Sequence, residues 1–186
     1  MLNIYFKKIR DEAIIPQKST SGSVGWDLYS PTFFVLHANE RRTVMTGIQC
    51  KSEFIDPIFS NIFDFWAELK GCSGNAHKKG IEILGGCIDT DFRGDMGVIL
   101  LNTSDNDVTF NRGDKLAQAV FVPHAKNEKS FVVDTLDDTE RGEKGFGHSG
   151  IAGEVQQNQV EECVLVGDIH FNTDTAGTCI APITIS

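Results

Sequence analysis

No stretch of this chain sustains the apolar repeat of three to four residues that marks an amphipathic helix. Short β-type runs recur instead, each cut off by glycine, serine, asparagine or aspartate. Leu2–Ile9, Phe33–His37, Thr43–Cys50, Met96–Asn102, Val108–Phe110, Leu116–Val122 and Phe131–Val133 read as strands. The breaks at Ser19–Gly25, Ser30–Pro31, Gly71–Gly74, Thr103–Asp107 and Asn111–Asp114 carry turn chemistry. Asn75–Lys79 has room for one or two helical turns. The pattern predicts an all-β fold with very little helix, a barrel or jelly roll.

With 186 residues the chain has the length of one domain with a single sizeable core. A formal net charge of -9 argues against broad electrostatic binding to nucleic acid or to an acidic membrane. Such a chain binds a polyphosphate only by gathering local cations, backbone N–H groups or a metal. The five scattered cysteines include no close pair with metal-ligand spacing and read as reduced thiols. The opening residues MLNIYFKKIRDE carry charge too early for a signal peptide, and no apolar run approaches membrane-spanning length. The expected setting is soluble and intracellular, cytoplasmic or nuclear.

Four polar, glycine-punctuated segments interrupt the strands. In SGSVGWDLYS (Ser21–Ser30), Asp27 lies between Trp26 and Leu28, so its carboxylate is expected to face away from the apolar side of a short strand. Alone it reads as a solvated or turn-capping aspartate. GCSGNAHKKG (Gly71–Gly80) sets Ser73 and Gly74 before a short helix, an arrangement that offers N–H groups and a hydroxyl to phosphate oxygens. Ser73 reads equally as an N-cap. LGGCIDTDFRGDMG (Leu84–Gly97) places Asp89 and Asp91 on one face of a strand at the lip of a hairpin, where one could orient a water; a plain turn is the bland alternative. TERGEKGFGHSG (Thr139–Gly150) scatters four glycines around Arg141, Phe146 and Ser149. A flexible arm that orders over an anionic ligand fits it better than a bare linker, with arginine for phosphate and phenylalanine for stacking on a base.

In order, these segments resemble the motifs of the trimeric dUTPases, over roughly Leu2–Gly150. VGWDLYS is similar to AGYDLYS, SGNAHKKG to part of RSGLAxKxG, and GCIDTDFRG to GVIDxDYRG. RGDKLAQAVF is similar to KGDRIAQLI, and LDDTERGEKGFGHSG to LDDTERGxGGFGxxG. The resemblance implies a distorted jelly-roll barrel that hydrolyses dUTP to dUMP and pyrophosphate with Mg2+. That reaction limits uracil incorporation into DNA and supplies dUMP for thymidylate synthesis. It implies that Asp89 activates the water attacking the α-phosphorus, and that Gly86 and Gly97 bond the uracil edge. Phe92 takes the place of a tyrosine under the deoxyribose. Ser73, Gly74 and Gln118 hold phosphates, Asp27 holds magnesium through water, and Arg141 with Phe146 and Gly147 closes over the substrate. It also implies a homotrimer whose sites draw on several subunits.

The same comparison marks departures. Cys72 stands at the motif's arginine, Asn75 at its leucine and Lys115 at the arginine of the fourth motif. Losing one charge-assisted hydrogen bond costs about 1.5–3 kcal/mol, so a weakened enzyme is implied unless Lys70, Lys78, Lys79 or a neighbouring subunit compensates. A catalytically weak, dUTPase-like binding or regulatory protein is therefore the alternative. Residues 1–138 are expected to form the barrel, 139–152 the arm, and 153–186 an extension outside the motifs, a candidate contact for a protein partner. Glu53–Lys70 is longer than a hairpin loop needs.

Overall fold

The structure, a computed structural model, describes residues 1–126 and 128–143. Three further β-like runs of the sequence, Glu162–Val166, Ile169–Phe171 and Ile183–Ile185, lie outside these. The chain divides into two units, Met1–Phe131 and Val132–Ser186. The first is an all-β barrel of antiparallel strands, as the turn-punctuated runs predict.

Its elements are β1 (Leu2–Lys8), β2 (Trp26–Tyr29), β3 (Phe34–Leu36), β4 (Arg41–Met45) and β5 (Ile48–Phe54), followed by α1 (Pro57–Ile62) and β6 (Phe63–Gly71). Then come α2 (Ser73–Lys79), β7 (Ile81–Leu84), β8 (Cys87–Ile88), β9 (Gly97–Asn102), β10 (Val108–Phe110) and β11 (Lys115–Ala125). β2, β11, β6 and β8 form one sheet in that order, and β4, β9 and β7 another; β1 pairs with β5 and β10 with β3. Among the described residues no helix is long and apolar enough to cross a membrane.

β11 organises the site-bearing sheet. Leu116, Ala117 and Ala119 are buried in the core. Gln118 lies opposite Asp27 of β2 on one side and Lys70 of β6 on the other. Pro123, which has no N–H to donate, falls where β2 no longer pairs with β11, so no ladder bond is lost there. Between the sheets Leu28, Leu36, Ile48, Met96, Val98, Leu100 and Phe110 are fully buried. Phe34 stacks on Phe110 with ring centroids 5.0 Å apart. Each such large side chain stabilises the fold by about 1.5–3 kcal/mol.

Several expected boundaries shift for local reasons. The single run Thr43–Cys50 is two strands, because Gly47 takes φ 73 and turns the chain between β4 and β5. A side chain there would also strike Ala13, 2.7 Å from the ideal Cβ. Glu53–Lys70 is no loop: Asp56 caps the short α1 through the N–H groups of Ile58 and Phe59, and the rest is β6, the long partner of β11. Phe131–Val133 forms no strand, and these residues are 79%, 103% and 57% exposed.

Candidate active site in two half-pockets

Two polar cavities of the barrel take up part of the motif set, Ser73, Gly74 and Gln118 in one and Asp89 in the other, while Asp27, Gly86, Phe92 and Gly97 line neither. A cavity of about 430 Å³ is lined by Cys72, Ser73 and Gly74 at the start of α2, and by Lys115 and Gln118 of β11. Ser73 is the first residue of α2 and not its cap; Cys72 holds the cap position and makes no side-chain capping bond. The Ser73 hydroxyl is thus not spent on its own helix. At the other end Gly80 adopts φ 65, and its carbonyl accepts from both the N–H and the hydroxyl of Thr103. Asn75 Nδ2 donates to the Lys115 carbonyl at 2.7 Å, stitching α2 to β11.

Behind this cavity lies Asp27. It is 1% exposed and not solvated, a correction to the sequence reading: the side chains of Gln118 and Lys115 from the neighbouring β11, with Ser19, cover it. Its Oδ2 accepts from Ser19 Oγ at 2.8 Å and pairs with Lys115 Nζ at 2.7 Å, while Oδ1 accepts from Gln118 Nε2 at 3.0 Å. Burial raises the carboxyl pKa, but the hydrogen bonds from Lys115, Ser19 and Gln118 outweigh it and hold the group below the usual carboxylate range. The bond to Asp27 raises the Lys115 ammonium in turn. Gly25 makes room for Gln118, whose Cβ lies 2.9 Å from where a side chain on Gly25 would begin.

The hairpin from β7 to β9, with β8 inside its loop, carries the second set. β8 ends at Ile88, so Asp89 and Asp91 belong to a turn closed by the Phe92 N–H on the Asp89 carbonyl at 3.1 Å, and not to a strand. Both carboxylates nevertheless line one cavity, of about 480 Å³, with Trp66, Cys87, Thr90, His124 and Glu128. The Cys87 thiol lies 3.9 Å from Asp89 Oδ1. Gly86 has φ 93, its carbonyl accepts from the Leu69 N–H at 2.8 Å, and a Cβ on it would sit 2.9 Å from the Leu69 carbonyl oxygen. Gly97 opens β9 opposite Met45. Phe92 is 42% exposed, and its ring covers Gly94. The tip is pinned from outside: Gly47 N–H donates to Asp95 Oδ1 at 2.7 Å, Arg10 pairs with Asp95 Oδ2 at 3.0 Å, and the Gln49 amide donates to the Arg93 carbonyl.

Ser73, Gly74 and Gln118 therefore share one cavity with Asp27 behind it, whereas Asp89 lines another, and the two linings have no residue in common. Arg141 is exposed within the second unit. Phe146 and Gly147 lie outside the described residues. Sequence reading overlooked Ser19, Trp66 and His124. The alternation of β6 and β11 was the only signal for the last two.

Among the described residues no three His, Cys, Asp or Glu side chains gather to hold a metal. Asp27, assigned by the resemblance to hydrated magnesium, has both oxygens engaged, one of them by an ammonium.

Comparison with known proteins places this geometry. The dUTPase family model matches residues 11–150. The deoxyuridine 5'-triphosphate nucleotidohydrolase of Yaba monkey tumor virus is 39% identical over 148 residues, 80% of this chain and 96% of that protein. Its namesake from Nautilia profundicola is 34% identical over 80% of this chain and 99% of that protein. Among solved structures, the Staphylococcus bacteriophage 80alpha dUTPase with dUpNHpp superposes with TM-score 0.68 at 24% identity, covering 80% of this chain and 99% of the phage chain. A point mutant of the dUTPase from phage phi11 of S. aureus, whose structure reveals the coordination of a structural Mg(II) ion, gives TM-score 0.62 at 20% identity, over 73% of this chain and 99% of that one. The fold, the ordered motifs and these matches agree: the chain belongs to the dUTPase family.

Proposed function

We propose that this protein hydrolyses dUTP to dUMP and pyrophosphate, with each active site of a homotrimer completed by the other copies of the chain. The observation that carries the reading is the separation of the phosphate-type cavity at α2 from the cavity that holds Asp89. Neither half contains both a phosphate cradle and a base. A homotrimer that brings the hairpin of one copy to the α2 cavity of another unites them.

In this reading Ser73, Gly74 and Gln118 bind the triphosphate oxygens. Gly86 and Gly97 bond the uracil edge through their backbones, and the tight hairpin excludes the methyl group of thymine. Phe92 packs under the deoxyribose and disfavours a 2′-hydroxyl. Asp89 accepts a proton from the water as its oxygen bonds to the α-phosphorus. The bond from that phosphorus to the bridging oxygen of the β-phosphate breaks, and pyrophosphate leaves. Arg141, with Phe146 and Gly147, closes over the substrate as a neighbouring arm. The chemistry asks for alignment and charge neutralisation more than for covalent catalysis. Magnesium would enter as a companion of the triphosphate and neutralise part of its charge.

Pyrophosphate release from dUTP, dTTP, dCTP and UTP, with and without magnesium, tests the proposal. Selective turnover of dUTP is expected; equal turnover of all four, or none, contradicts it. Cys72 favours one second reading, because a half-buried thiol replaces a guanidinium beside Ser73. A dUTPase-like binding protein would hold dUTP in the same assay without releasing pyrophosphate.

A further inference from the structure

The α2 cavity takes its charge from a short inventory. Its lining cations are Lys79 and Lys115, and its lining anion is Asp114. Asp114 Oδ2 is turned to its own turn, where it accepts from the Asn111 N–H at 2.8 Å. Lys79 points elsewhere, with Nζ 5.0 Å from the centre of the Phe110 ring. Lys70 pairs with Glu68, and Lys78 lines a different cavity. We propose that Lys115 is the cation through which this cavity holds the triphosphate, supplying the charge that Cys72 cannot.

Lys115 is held at both ends. Its carbonyl is fixed by Asn75 from the phosphate-facing helix, and its ammonium by Ser19 Oγ and Asp27, each at 2.7 Å. The Asp27 side chain is 2% exposed and that of Lys115 45%, so the ion pair presents its positive end to the cavity. The other carboxylate oxygen of Asp27 accepts from the Gln118 amide, which lines the same cavity. An ammonium fixed in advance loses less conformational freedom on meeting a phosphate oxygen than a free lysine does. Three departures from the motif, at positions 72, 75 and 115, thus act as one device.

The inference rests on the dUTP reading, and the experiment separates the two. kcat/KM for dUTP is measured for the wild-type chain, Lys115→Gln, Lys115→Arg, Cys72→Arg and the double variant Cys72→Arg/Lys115→Gln, alongside Lys79→Gln. Lys115→Gln is expected to lose about tenfold to a hundredfold, the size of one charge-assisted hydrogen bond. Lys115→Arg should keep most of the activity, and Cys72→Arg in the Lys115→Gln background should restore most of it. Lys79→Gln should stay within about threefold of wild type, since its ammonium faces Phe110. If Lys115→Gln does not fold, Asp27→Asn/Lys115→Gln, which leaves no buried carboxylate unpaired, is compared with and without Cys72→Arg. A Lys115→Gln loss below threefold overturns the proposal. So does a loss that Cys72→Arg fails to recover, which would make Lys115 a structural partner of Asp27 only. A wild-type chain inactive on dUTP fails the parent reading instead. Calorimetric titration with inorganic tripolyphosphate then still decides the role of Lys115: binding weakened by Lys115→Gln supports it, and unchanged binding overturns it.

Discussion

Replacing Gly86 with alanine puts a methyl group where the hairpin leaves no room for one. Gly86 sits at φ 93, a region that L residues enter at a cost of about 1–2 kcal/mol. The new Cβ would lie 2.9 Å from the Leu69 carbonyl oxygen and 3.4 Å from the Leu69 Cβ. Leu69 is only 5% exposed and locked in β6, so the hairpin must give way. Its movement weakens the Leu69 N–H bond to the Gly86 carbonyl, 2.8 Å long, worth about 0.5–1.5 kcal/mol. The expected destabilisation is about 2–3 kcal/mol, which lowers Tm by about 8–12 °C for a domain of this size. Circular dichroism melts of wild type and Gly86→Ala measure it. Gly22→Ala serves as control, since nothing lies within 4 Å of its added Cβ. A Gly86→Ala protein that melts within about 2 °C of wild type would refute the argument that backbone approach fixes this glycine.

Three further outcomes follow from the same geometry. Asp89→Asn should abolish turnover while dUTP binding by calorimetry and the melting curve stay close to wild type; near-normal turnover would remove Asp89 from the mechanism. Gly94→Ala places a Cβ 2.5 Å from the Phe92 ring, so the ring must move. The ratio of kcat/KM for dUTP over UTP should fall on the order of tenfold, and an unchanged ratio would count against sugar selection by Phe92. The Asp27–Lys115 pair has a pH signature. The depressed Asp27 carboxyl contributes stability that is full above its unfolded value of about 3.9 and is lost as pH falls through the folded value. The raised Lys115 contributes stability that is full below about 10.4 and is lost as pH rises through its folded value. The Tm gap between wild type and Asp27→Asn/Lys115→Gln should therefore be flat from about pH 5 to 9 and shrink outside it; a gap that widens in acid contradicts the pairing.

Local chemistry was legible in the sequence wherever it is decided by neighbours along the chain. The turn residues between strands, the short helix over Asn75–Lys79, which in fact starts two residues earlier at Ser73, and the glycine turn at Gly86 all follow from such signals. What stayed hidden depends on partners far away in sequence. Asp27 read as solvated because nothing near it shows that Lys115 and Gln118 will cover it from β11. The apolar alternation of Thr43–Cys50 conceals the turn that Gly47 makes. Phe131–Val133 has strand-forming side chains, yet a strand needs a partner edge, which a run of side chains does not specify. The aromatic segment before Lys70 looked only like more chain than a hairpin loop needs because its role, pairing with β11, lies in register rather than in composition.

The account stands on two half-pockets from different copies making one site, and mixing two dead variants tests that directly. Asp89→Asn lacks the base, and Ser73→Ala/Gln118→Ala lacks the phosphate cradle. Unfolded together and refolded as mixed oligomers, they should regain pyrophosphate release from dUTP, because some sites pair an intact hairpin with an intact α2 cavity. Activity of the mixture no greater than that of the two variants refolded separately would contradict the shared site.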